Sequence, residues 1–209
     1  MIRYLYNERY WRSFLGGLII LLVGVWANII AMNYINALNY NGISMDLLHE
    51  LVPFNSIYSI LAEVSMILSG ILFIIYIIKY ELYDELPFFM TCMGIFYIIR
   101  AIILPLTPLQ NPYPDPGHFG IFGKIIPFGG AFPSGHTGFI VLLAFFVDNK
   151  RKIFKYIIGI MAFIIGVLMI ISRGHYTIDV VGSVFIAFSV YILISSQRKS
   201  LFTQKHVKY

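Results

Sequence analysis

Two histidines and an aspartate stand out in this chain because of where they lie. His136 belongs to the run Phe132-Pro133-Ser134-Gly135-His136-Thr137, and His175 and Asp179 to Gly174-His175-Tyr176-Thr177-Ile178-Asp179. Both runs open strongly apolar segments, where ionisable side chains are expensive and default to function. Ser134 has the character of a helix N-cap, and Gly135 permits close backbone approach. Free N–H groups and the positive dipole end of a helix starting there make an anion site, with His136 beside the anion. His175 and Asp179 are four positions apart, so a helix beginning near His175 puts them on one face. A carboxylate against one imidazole nitrogen fixes the tautomer and supports the charge that develops when the other nitrogen attacks.

Such parts suit phosphoryl transfer through a covalent phosphohistidine. His175 is expected to attack phosphorus while Asp179 orients it. His136 is expected to protonate the departing alkoxide and then to deprotonate the incoming nucleophile. Arg173 and Arg100 supply forked donors suited to phosphate oxygens, with Lys124 as a further cation. Together with the N–H groups near Ser134 and Gly135 they would stabilise charge on the transferring phosphate. Two histidines and an acid also resemble a zinc ligand set, but the arginine company disfavours a cation site. Neither a metal nor an organic cofactor is expected.

The elements that must hold these residues are membrane helices. Of the 209 residues 59% are hydrophobic and 12% charged, with mean hydropathy +0.80; a soluble domain carries about 25% charged residues. Stretches near the roughly 20 apolar residues needed to span a bilayer occur at Phe14–Met32, Ile57–Ile78, Leu86–Leu104, Ile153–Ser172 and Tyr176–Ser195. A sixth, Ser134–Val147, is shorter. The expected fold is all-α, a polytopic membrane protein with a six-transmembrane-helix bundle, residues 1–209 forming one domain. The first span follows Arg3, Arg9 and Arg12 and reads as a retained signal anchor, its apolar run being too long for a signal-peptide core. Cys92 is the single cysteine, so no intramolecular disulfide is expected.

The net charge of +5 does not form the basic, aromatic-interleaved patch of a nucleic-acid binder. With six alternating spans, every Lys and Arg falls on the N-terminal side except Arg100, Lys124 and Arg173. The positive-inside rule then puts both termini in the cytoplasm and the histidine motifs on the extracytoplasmic side. The short fourth span covers roughly 21 Å against a ~30 Å hydrocarbon core, which recesses His136 below the surface. The segment Pro105–Pro133 holds seven of the nine prolines and reads as a functional loop over the substrate entry. The expected partners are a membrane lipid substrate and the bilayer itself. Arg100 has a competing reading as a snorkelling interfacial anchor. His49, His118 and His206 read as carrying no chemistry, though His118 or Asp115 could touch a head group. Glu63 is either a polar contact inside the bundle or a substrate-facing acid.

The Phe-Pro-Ser-Gly-His-Thr run at 132–137 resembles the second motif of the phosphatidic-acid phosphatase type 2 superfamily, which includes lipid phosphatases, glucose-6-phosphatase and vanadium haloperoxidases. The His-Tyr-Thr-Ile-Asp-Val run at 175–180 is more similar to the matching motif of sphingomyelin synthases. The resemblance implies His175 as nucleophile, His136 as acid and base and Asp179 as orienting acid. It also implies a lipid phosphotransferase, or a lipid phosphate phosphatase with water as acceptor. The chain departs from the phosphatases in lacking their Lys-x6-Arg-Pro motif and in placing Arg173 two, not six, residues before the histidine. Arg100, followed by Leu104-Pro105, resembles the missing motif loosely. A catalytically silent lipid-binding protein is the reading from another class.

Overall fold

The computed structural model describes residues 8–38, 44–112 and 130–206, the stretch from 198 as backbone only. Seven α-helices make up most of them: α1 Glu8–Ala37, α2 Leu47–Leu51, α3 Ile57–Lys79, α4 Leu86–Leu106, α5 Gly135–Phe146, α6 Lys152–Ile171 and α7 Thr177–His206. No strand occurs among the described residues. Five helices are long and apolar enough to cross a membrane, and α5 is a shorter apolar helix. The described residues are thus all-helical, with five helices of spanning length among them. The sixth expected span is the 12-residue α5, about 18 Å long at 1.5 Å per residue. Large apolar side chains such as Trp26, Phe163 and Phe185 project outward at 66%, 74% and 66% exposure. Hydrocarbon tolerates such a surface on helices whose backbone bonds are internally satisfied.

α1 and α4 lie parallel and nearly in backbone contact. A Cβ on Gly17 would stand 2.6 Å from the Pro87 carbonyl oxygen, and one on Gly94 would stand 2.6 Å from the Ile20 carbonyl group. One on Gly24 would collide with the Gly94 carbonyl. Small residues at one interface let two apolar helices approach in the absence of a hydrophobic drive between them. α3 and α6 run antiparallel, Tyr76 beside Phe154 and Ser69 reaching Met161. α5 sits in the middle, packed on α3, α4, α6 and α7. Its buried Ile140 and Leu143 join one apolar cluster with Tyr76 and Ile165, and Leu142 joins another with Phe96 and Val190.

The shortness of α5 is fixed at both ends. Ser134 caps its start, Oγ accepting from the Thr137 N–H at 3.3 Å. At its end Lys155 Nζ donates to the carbonyls of Ala144 and Val147 at 2.8 and 3.1 Å. A cation there satisfies orphan carbonyls and suits the negative dipole end. The Asp148 N–H donates to Tyr76 Oη at 3.1 Å. Arg151 stacks over Tyr80 at 4.1 Å, and Lys79 approaches the Phe154 ring. Basic residues therefore gather at the end of the bundle opposite the histidines.

Candidate active site

α5 and α7 run parallel, and their first turns are stitched together. The Ser134 N–H donates to the Asp179 carbonyl at 3.1 Å. Ser183 Oγ lies 2.8 Å from the Ser134 carbonyl and 2.6 Å from that of Asp179. A Cβ on Gly182 would meet the Phe132 ring at 2.5 Å, so only glycine admits the chain entering α5. Two helix N-termini, the positive ends of their dipoles, thereby converge, which favours an anion between them.

The two histidines meet at that point. The His136 and His175 ring centroids are 6.3 Å apart and their planes are inclined by 62°. His175 is 4% exposed and Asp179 fully buried. His175 Nδ1 lies 3.4 Å from Asp179 Oδ2, and that same oxygen accepts the Tyr176 N–H at 2.7 Å. An acid in the first turn reaching back to the residue before its helix is half of a capping box. The carboxylate is thus fixed by the backbone before it meets the imidazole. Nε2 of His175 has no partner among the described residues. No three His, Cys, Asp or Glu side chains among the described residues are grouped to hold a metal ion.

Arg100 is 5% exposed and so is enclosed by the bundle, not placed at an interface with water. Its Nε donates to the Pro133 carbonyl at 2.7 Å and Nη2 to that of Gly130 at 3.4 Å, while Nη1 donates to Asn28 Oδ1. A Cβ on Gly135 would stand 3.6 Å from Arg100 Nε, so the guanidinium lies against the first residue of α5. The snorkelling reading fails because the side chain is enclosed by α1 and by the approach to α5.

Arg173 occupies the turn that ends α6. The Arg173 N–H bonds to the Ile170 carbonyl at 2.9 Å and the Gly174 N–H to that of Met169 at 3.1 Å. Those bonds make a Schellman turn, whose left-handed residue is commonly glycine. Here the residue is Arg173, with φ of 55°. Its Nη2 donates to the His49 carbonyl at 2.8 Å, and its buried Nε has no partner among the described residues.

Residues 44–52 strap this turn from outside. Asp46 accepts from the Thr177 N–H and, at 2.9 Å, from the Thr177 hydroxyl, while also capping α2 through Leu48. His49 Nε2 lies 3.2 Å from the His175 carbonyl, and the Ser44 N–H donates to Tyr176 Oη at 3.0 Å. Burial works to raise the Asp46 pKa. The Thr177 and Leu48 donors, helped by His49, outweigh it and hold the carboxyl below its ordinary 3.8. His49, read from sequence as carrying no chemistry, lies against the backbone of the His175 motif through these contacts.

Among the expected site residues, the fold brings together His136, His175, Asp179, Ser134, Gly135 and Arg100. Arg173 adjoins them through the His175 turn. Lys124 lies outside the described residues, as do Asp115 and His118. Glu63 is buried in α3. Sequence reasoning missed Asn28, although it is the one polar side chain in Phe14–Met32, a signal that was available.

Residues 131–196 match the family model described as PAP2 superfamily C-terminal. The match supports the PAP2 superfamily, and with it a phosphatase- or phosphotransferase-type function, for this part of the chain. The PAP2-matched stretch holds both histidine motifs and ends inside α7. Asn28, Asp46, His49 and Arg100 lie outside it. A search of curated proteins gave no match.

Proposed function

We propose that the protein is an integral membrane lipid phosphotransferase that works through a phosphohistidine, without a metal. The observation that carries this reading is the pair of imidazoles facing one another between two helix N-termini, with Asp179 behind one of them. His175 Nε2 attacks phosphorus, forming a P–N bond as the P–O bond to the leaving lipid alkoxide breaks. His136 gives that oxygen its proton. An incoming hydroxyl then loses a proton to His136 while its oxygen displaces His175. Asp179 holds the imidazole tautomer and supports its positive charge. Arg100, the Gly135 N–H at the helix start capped by Ser134, and the remaining donors of Arg173 stabilise the phosphoryl oxygens. Lys124 remains a proposed substrate contact.

The whole chain is read as one membrane domain with α5 as its short sixth span. The termini are then cytoplasmic and the site extracytoplasmic, in keeping with the separation of basic residues from the histidines. A recess at the head of a 12-residue helix favours an amphiphile as donor and a lipid hydroxyl, in sphingomyelin-synthase style, as acceptor. Hydrolysis is the second reading, favoured by the match to the PAP2 superfamily model. Purified protein given labelled phospholipid, with and without ceramide or diacylglycerol, tests the choice. Transferred lipid product supports the transferase, and free phosphate or free head group alone rejects it.

A further inference from the structure

Buried Arg100 makes no hydrogen bond to an acid among the described residues, and Asp179 acts on it only through space. Its protein partners are three neutral oxygens, those of Asn28, Pro133 and Gly130, and none of its contacts among the described residues is a carboxylate. A buried charge is normally hydrogen-bonded to an opposite one, because leaving it unpaired is strongly unfavourable. Here it also lies against the start of α5, where the helix end adds further positive potential. The neutral partner is held in one orientation. Asn28 is 8% exposed, its Nδ2 reaches Met32 Sδ at 3.9 Å, and its Oδ1 faces Arg100. The opposite flip would set the amide donors against the guanidinium donors.

We propose that Asn28 is the positioning residue of the anion site. It aims the Arg100 guanidinium by a hydrogen bond without adding a negative charge beside it, so that the guanidinium's field remains directed to the oxygens of the substrate's phosphate. An aspartate of the same shape would hold Arg100 at least as firmly and cancel its field. This inference rests on the phosphoryl-transfer reading and deepens it.

Orthovanadate, a mimic of transferring phosphate, is the probe. Its binding to the purified full-length protein is measured through thermal protection, together with the unfolding midpoint of the ligand-free protein. Asn28→Asp is expected to keep or raise the ligand-free midpoint while weakening vanadate binding by at least about tenfold, since a full negative charge is added beside the site. Asn28→Ala, which removes the acceptor without adding charge, is expected to weaken binding as well by loosening Arg100. Wild-type vanadate affinity in either variant overturns the assignment, as does an affinity loss in Asn28→Asp that only follows a lowered midpoint. Failure of the wild-type protein both to bind vanadate and to turn over any phosphate ester overturns the phosphoryl-transfer reading itself, a distinguishable result.

Discussion

The Ser134 N–H donates to the Asp179 carbonyl at 3.1 Å, so the residue that caps the His136 helix is tied to the acid that orients His175. That bond joins two parallel helices at the point where His136 and His175 approach one another. Ser183 reinforces it by placing one hydroxyl between the carbonyls of both residues.

Ser183→Ala removes that hydroxyl and is expected to cost about 1 kcal/mol, the usual net value of a buried hydrogen bond. Denaturation of the purified protein should show the loss, with turnover falling as the two histidines lose register. An unchanged midpoint and rate would show that the hydroxyl contributes nothing to the stitch.

Arg173 occupies a backbone position that glycine fills more comfortably, with φ of 55°. Arg173→Gly relieves roughly 1 kcal/mol of left-handed strain and loses a side-chain bond of about the same worth. Stability should therefore change little, while activity falls at least tenfold through loss of the remaining guanidinium donors. Full activity in the glycine variant would assign Arg173 to the turn alone.

The His136 and His175–Asp179 motifs were legible in the sequence because their logic is local. A serine cap and an i,i+4 pair need only the helix period. The long apolar runs likewise gave five spanning-length helices. The ends were less legible: α1 continues past Met32 to Ala37 because Asn33, Tyr34 and Asn36 end the hydropathy without ending the helix. The partner of Arg100 was not legible, since pairing it with Asn28 requires knowing that α1 and α4 pack in parallel register. The strap of Asp46 and His49 depends on where a loop returns, which no periodicity records.

The register of α1 and α4 rests on Gly94, whose Cβ would press on the Ile20 and Leu21 backbone at 2.6 Å. Gly94→Ala is expected to destabilise by about 1–3 kcal/mol or more, as overpacking does, and to lower activity by shifting Asn28 away from Arg100. Gly70→Ala on α3, where nothing lies within 4 Å, should be neutral or slightly stabilising. Equal effects at the two positions, measured by thermal unfolding, would contradict the close-approach account.

Asp46 makes the strap sensitive to acid. Its folded pKa is depressed below the ordinary 3.8, so its contribution is fully present above that value and is lost as pH falls through the lower folded one. Hydrogen-exchange protection factors, corrected for the intrinsic rate at each pH, should fall for residues 44–52 and the 173–177 turn below about pH 4. In Asp46→Asn, which cannot titrate, exchange should already be faster at neutral pH and lack that acid step. A wild-type profile that stays flat below pH 4 would separate the strap from the Asp46 charge.

The central claim is that His175 carries the phosphoryl group. Rapid quenching at alkaline pH of the protein turning over a labelled phosphate lipid, followed by peptide mapping, tests it most directly. The account predicts an acid-labile label on His175, absent in His175→Ala and slow to form in His136→Ala. A label on another residue, or one undiminished in His175→Ala, would contradict it.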